Sequence, residues 1–167
     1  MATRQEELVP EEADVLARVG DMPVDLAAMS VIANVWRAAQ AARSRLEREV
    51  LREEDLTWSG FSALFILWVW GPLETRELAA SMNCARATIS GVSDTLEARG
   101  LIARAGDDRD RRLVRLALTD AGRARIEALF PRFNAGEARL VRNLSAEEQA
   151  TLARLLRRVV LTAKEER

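Results

Sequence analysis

Between Asp107 and Arg112 the chain sets six charged residues in a row, Asp107, Asp108, Arg109, Asp110, Arg111 and Arg112. The stretch after it alternates Val114, Leu116 and Leu118 with Leu113, Arg115 and Ala117, the period of a strand. A charged tip running into a strand reads as a β-hairpin, with Leu101 to Ala105 as its first strand and Gly106 opening the turn. This hairpin is expected to be the only β-structure in the chain. Guanidinium groups at such a tip hold phosphates or enter a groove, so the chemistry they point to is contact with a nucleic acid rather than bond making. Upstream, Arg76, Arg86, Thr88 and Ser90 add donors suited to phosphates and base edges.

Other chemistries lack their residues. The chain has no His and one Cys, which removes the commonest general base and zinc ligand and forbids an intrachain disulfide. No Gly-rich phosphate loop or paired-carboxylate site is found, so an enzyme is not expected, and no cofactor or metal is implied. At 167 residues, 49% apolar and 31% charged, the chain suits one soluble domain. Its net charge of −1 argues against a non-specific polyanion binder. Six Arg against three Asp make residues 99–115 net +3, leaving −4 on the remainder, so any nucleic-acid contact is local. The acidic first residues do not read as a signal peptide, and the apolar run Phe61 to Trp70 is half the roughly 20 residues a membrane helix needs. A reducing cytoplasm and no membrane partner are the expectation.

Helices must position these groups. Pro10-Glu11-Glu12 starts a short helix with Val15, Leu16 and Val19 on its apolar side and Gly20 at its end. Pro23 begins a longer one to about Leu51, whose Ile32, Val35, Ala39, Ala42 and Leu46 form a seam beside Trp36 that suits core or a partner helix. Thr57 caps a helix, apolar all round and therefore central, that stops at Gly71-Pro72. A short helix from Glu74 or Thr75 to Ser81, a break at Met82-Asn83-Cys84 and a helix from Ala85 to Arg99 ended by Gly100 follow, the last burying Ile89, Val92 and Leu96. Two helices across a three-residue turn, followed by the hairpin, make a helix-turn-helix with a wing. Thr119 then caps a helix with a kink expected at Pro131, and Ser145 to Glu148 is a capping box before a final helix striped by Leu152, Leu155, Leu156, Val159, Val160 and Ala163.

Several motifs in this order resemble the MarR family of bacterial transcription regulators. They are Glu77-Leu78-Ala79, the Thr88-Ile89-Ser90 to Leu101-Ile102 segment, and Asp110-x-Arg112 followed after five residues by Leu118-Thr119 and then Gly122-Arg123. The likeness spans about residues 26–160. It departs at Gly91 and Thr95, where many relatives carry Arg, and at Ala85 in place of a Ser-like cap. The fold class implied is mostly α with a small β-hairpin wing, a winged helix-turn-helix flanked by N- and C-terminal dimerisation helices. The divisions are an extension over 1–22, a dimerisation and pocket helix over 23–56, the DNA-binding lobe over 57–119 and C-terminal helices over 120–167, one structural domain overall.

The resemblance implies that Arg112 enters a minor groove, oriented by Asp110, with Arg109 and Arg111 as phosphate contacts or bystanders. The plain alternative is a solvated charged loop. Arg86 reaches a guanine edge or a phosphate, Thr88 and Ser90 donate to DNA or face water, and Arg76 is a further phosphate candidate. Trp36, Arg37, Arg43, Phe61, Phe65 and Trp68 are either plain core or the walls of a pocket for a small aromatic or phenolic carboxylate. Cys84, in the turn, is a redox switch or simply a small hydrophobe. The expected protein is a homodimeric regulator, a repressor released by a small aromatic effector, on double-stranded DNA bearing a pseudo-palindromic operator. The alternative is a winged-helix protein-interaction module without DNA binding.

Overall fold

The computed structural model describes residues 8–20, 22–106 and 114–165, and the chain divides into two compact units, residues 1–43 and 44–167. The first unit starts with α1 (Pro10–Val19), with Pro at its first turn, Glu11 and Glu12 at its positive end and Arg18 at its negative end. Its most enclosed side chain is polar. The buried Glu12 carboxylate accepts a 3.0 Å hydrogen bond from Asn34 Nδ2 of α2 (Leu26–Leu46), whereas Val15, expected on the apolar side, is exposed. Gly20 closes α1 in a right-handed conformation.

The long helix is shorter at both ends than its sequence suggests. It begins at Leu26 rather than Pro23, because Asp25 Oδ1 accepts from Ala28 N at 2.9 Å and caps it there. It gives way after Leu46 to a π turn (Glu47–Leu51) and a 3-10 turn (Arg52–Glu54), which stops at Asp55 with φ 50°. Along α2 the seam at Ile32 and Val35 stays open, with Val31 and Trp36 also exposed, the last by 65%.

In the second unit Leu46, Val50 and Leu51 enter a core built on α3 (Trp58–Trp70). Thr57 caps α3 as expected, its Oγ1 accepting from Gly60 N at 3.1 Å. Phe61, Leu64 and Leu67 are buried, but Val69 and Trp70 are exposed. An apolar helix was expected to be surrounded throughout; its last turn is not.

Beyond Gly71 the chain forms a two-residue strand β1 (Leu73–Glu74), then α4 (Thr75–Ser81) and α5 (Arg86–Ala98). The hairpin strands β2 (Ile102–Gly106) and β3 (Val114–Leu118) follow. The hairpin is therefore not the only β-structure. The sheet is antiparallel in the order β1-β3-β2, and Leu116 pairs with Leu73 on one side and Arg104 on the other. Flanked on both edges, Leu116 is fully buried and anchors the hairpin, with Leu118 half-buried behind it.

The C-terminal part is α6 (Asp120–Leu140) and α7 (Ala146–Glu165). Thr119 caps α6, accepting from Gly122 N at 3.0 Å, and the helix continues through Pro131 as one element. Ser145 and Glu148 form the expected reciprocal cap on α7. No residue of α7 is buried, and its Leu152, Leu155 and Val160 face outward. Among the described residues no helix is long and apolar enough to cross a membrane.

Candidate nucleic-acid interface

Local chemistry sets the helix-turn-helix. Glu74 caps α4 reciprocally with Glu77, whose Oε2 accepts from Glu74 N at 2.9 Å. The turn hinges on Asn83 at φ 48°, a left-handed conformation Asn tolerates, and Cys84 N closes it on Ala79 O at 3.1 Å. α5 starts at Arg86 with Ala85 as a cap that offers no side-chain acceptor, so its first N–H groups remain open to solvent or an anion. It ends at Gly100, φ 68°, where Gly100 N and Leu101 N bond back to Glu97 O and Leu96 O.

The packing of α5 decides which side chains face out. Ile89 and Leu96 are buried as expected, but the third fully enclosed residue is Ser93, while Val92 is only half-buried. Burying two such aliphatic side chains contributes roughly 3–6 kcal/mol to holding the helix. That leaves Arg86, Ala87, Thr88, Ser90, Gly91, Asp94 and Thr95 exposed. Arg86 makes no ion pair among the described residues, so its guanidinium is available. Ser90 Oγ donates to Arg86 O at 3.2 Å and can still accept. Arg76 is exposed but tied to Glu74, Nε to Oε2 at 2.7 Å, which tempers its charge.

The hairpin tip with Arg109, Asp110, Arg111 and Arg112 lies outside the described residues. Arg104 of β2 donates to Asp94 Oδ1 at 2.6 Å and to Glu97 on α5, and its backbone N–H donates to Glu97 Oε1 at 3.3 Å. The Asp94 hydrogen bond raises the pKa of Arg104; burial opposes the shift, and the charges of Glu97 and Asp94 reinforce it. This latch ties the wing strand to the recognition helix, and no sequence signal named it, because Asp94 and Glu97 become its partners only when β2 folds back along α5. Arg99 was missed for the same reason. It donates to Asp55 O at 2.5 Å and Glu54 O at 3.0 Å, holding the end of α5 to the turn before α3.

The aromatic residues of α3 are engaged with α6. Phe61 stacks on Phe133 at 4.0 Å between ring centroids, Phe65 on Phe130 at 5.3 Å, and Trp68 lies tilted on Phe130 at 5.6 Å while its Nε1 donates to Glu127 at 3.2 Å. In the other unit Trp36 is exposed and Arg37 donates to Asn34 Oδ1 at 3.2 Å; Arg43 is exposed and has a partner. Cys84 is half-buried against the core.

The sequence profile described as "MarR family" matches residues 56–114. Among curated proteins, an uncharacterised HTH-type transcriptional regulator of Bacillus subtilis, YwaE, is 42% identical over 159 residues and covers 93% of this chain and of its own. The HTH-type transcriptional repressor NicR of Pseudomonas putida is 28% identical over 77% of this chain and 82% of its own. Among solved structures, that of Bordetella bronchiseptica BpsR, whose DNA binding is described as regulated by 6-hydroxynicotinic acid, superposes with a TM-score of 0.70 at 28% identity over 78% of this chain and 92% of that one.

Proposed function

This chain belongs to the MarR family of DNA-binding transcriptional regulators, and from that premise we propose that it acts as a homodimeric repressor released by a small aromatic acid. The observation that carries the DNA reading is the exposed Arg86 on the outward side of α5, with no ion pair among the described residues, opposite Ile89 and Leu96 locked in the core. Each subunit lays α5 in a major groove, where Arg86 reaches a guanine edge or phosphate and Thr88 and Ser90 add hydrogen bonds. Arg76 adds a phosphate contact. The wing lies along the adjacent minor groove with Arg112 inserted, Asp110 orienting it, and Arg109 and Arg111 on phosphates. Two-fold symmetry makes the operator a pseudo-palindrome with half-sites roughly 10 bp apart.

Self-association is supported by the apolar side chains that the single chain leaves uncovered, Val31, Ile32 and Trp36 on α2 and Leu152, Leu155 and Val160 on α7. Repression is supported by the naming of NicR, and ligand release by the regulation described for BpsR. The effector acts by population shift, favouring a spacing of the two recognition helices that no longer matches successive grooves. Phe61, Phe65 and Trp68 of the second unit are its candidate contacts, ring against ring.

Enrichment of bound fragments from a genomic DNA library, with and without a panel of aromatic acids, tests this reading. The expected result is a palindromic motif whose binding weakens with salt and is lost with one of the acids. Arg112→Ala should weaken binding by about 1–3 kcal/mol. An unenriched library refutes DNA recognition, and a panel that neither shifts the melting temperature nor releases DNA leaves a constitutive regulator.

A further inference from the structure

The α3-facing flank of α5 offers Thr88, Gly91 and Thr95, none of them cationic, to a cleft of about 390 Å³ whose other wall includes Asp55 and Thr57. The cations on this side come from elsewhere in the chain. Arg99 lines the same cleft and spends its hydrogen bonds on main-chain carbonyls, so its positive charge is not cancelled by a carboxylate among the described residues. Across Leu56 and Thr57 a second cavity of about 280 Å³ is walled by Ser44, Glu47, Arg48 and Arg52. Arg48 and Arg52 are one helical turn apart and exposed.

By sequence, residues 44–57 look unsuited to a polyanion, because Glu47, Glu49, Glu53, Glu54 and Asp55 outnumber Arg45, Arg48 and Arg52. The fold redistributes that charge. Glu49 pairs with Arg45 at 2.8 Å and faces Arg139 at 3.7 Å; Glu54 is held by Arg125 at 2.7 Å and Arg132 at 2.6 Å; Glu53 is held by Arg132 at 2.5 Å. Glu47 Oε1 accepts from Trp58 N at 2.8 Å. Among the described residues Arg48 keeps only a loose 3.9 Å approach to Glu49, and Arg52 makes no ion pair. Asp55 makes no ion pair among the described residues.

A helix is about 10–12 Å across and the major groove about 12 Å wide, so a helix seated in the groove has a phosphate backbone along each flank. We infer that Arg48 and Arg52, with Ser44 beside them, bind a backbone phosphate on the α3 side of the recognition helix, where that helix supplies no cation itself. The inference rests on the DNA-binding reading above. It assigns these residues to affinity rather than to sequence choice, since phosphates carry no base identity.

Fluorescence anisotropy with the enriched operator, over a salt series, tests it in the full-length protein. For Arg48→Gln/Arg52→Gln the slope of log K against log salt should become shallower by about 0.9 per lost contact. Operator and unrelated DNA should weaken by the same factor, while Arg48→Lys/Arg52→Lys keeps the wild-type slope. The lysine variant separates charge from packing, and circular dichroism establishes that both variants are folded. A Gln variant with wild-type slope and affinity overturns the assignment, as does one that weakens operator binding alone. Wild-type protein without salt-dependent DNA affinity overturns the DNA-binding reading itself.

Discussion

Gly122 gives the most demanding test of how the wing is held. It sits in the first turn of α6, and a Cβ built on it would lie 1.8 Å from the carbonyl oxygen of Leu101 and 2.8 Å from its carbonyl carbon. Both obstacles are backbone, so no side-chain rotation relieves Gly122→Ala. That carbonyl already accepts from Thr119 N at 3.1 Å, and Leu101 joins the end of α5 to β2. Relief requires α6 to retreat from the junction of recognition helix and wing. Overpacking of this kind costs about 1–3 kcal/mol, and loosening the Thr119–Leu101 hydrogen bond about 1 kcal/mol more, giving a loss of roughly 2–4 kcal/mol. At about 2–4 °C per kcal/mol for a chain of this length, the melting temperature should fall by roughly 10 °C.

Gly91→Ala is the matched control. Its added Cβ meets nothing within 4 Å, and replacing a mid-helix Gly should stabilise by about 0.5–1 kcal/mol. Urea unfolding of both variants and wild type, at one protein concentration because self-association would shift the apparent stability, measures the difference. Gly122→Ala within about 0.5 kcal/mol of wild type, an ordinary surface-substitution effect, would refute the backbone-contact argument.

Arg104→Ala should cost only about 0–1 kcal/mol of stability, since its ion pairs are exposed. Its loss of DNA affinity should be larger, because the wing strand is no longer fastened to α5, and comparing urea midpoints with anisotropy titrations separates the two. Thr119→Ala removes both the cap on Gly122 N and the 2.6 Å bond to Gly100 O, and should destabilise by about 1–2 kcal/mol in the same unfolding assay. The Ser145 backbone N–H, helped by its hydroxyl, holds the Glu148 carboxyl below its ordinary 4.5. A depressed acid stabilises above its unfolded value, so the cap on α7 should be intact above about 4.5 and lost as pH falls through the lowered value. Hydrogen exchange at Ser145 N–H should accelerate over that interval relative to neighbouring amides, and Glu148→Gln should abolish the transition.

Elements governed by short-range geometry were readable from the sequence. Thr57, Thr119 and Ser145 each cap the backbone N–H three residues on, a relation that neighbouring residues fix by themselves. Asn83 and Gly100 mark left-handed positions, and the order of two helices, turn, helix end and strand gives the winged helix-turn-helix. The outward face of α5 followed from helical period, apart from the exchange of Ser93 for Val92 at the core. The two-residue strand β1 was missed because so short a segment has no period to detect.

What the tertiary structure decided was partner choice. Any arginine can pair with any acid, and only the fold sets which are within reach. Arg104 meets Asp94 and Glu97 because β2 turns back along α5, and Arg99 meets carbonyls 44 and 45 residues earlier because α5 ends beside the turn at Asp55. Arg125, Arg132 and Arg139 of α6 engage the acids before α3, which turns a segment acidic by composition into one that presents Arg48 and Arg52 outward. Likewise the stripes on α2 and α7 are plain in the sequence, but that they stay uncovered by the chain itself depends on which helices the core enlists. Period and capping act over one turn of chain, whereas burial and ion pairing act over distances that only folding closes.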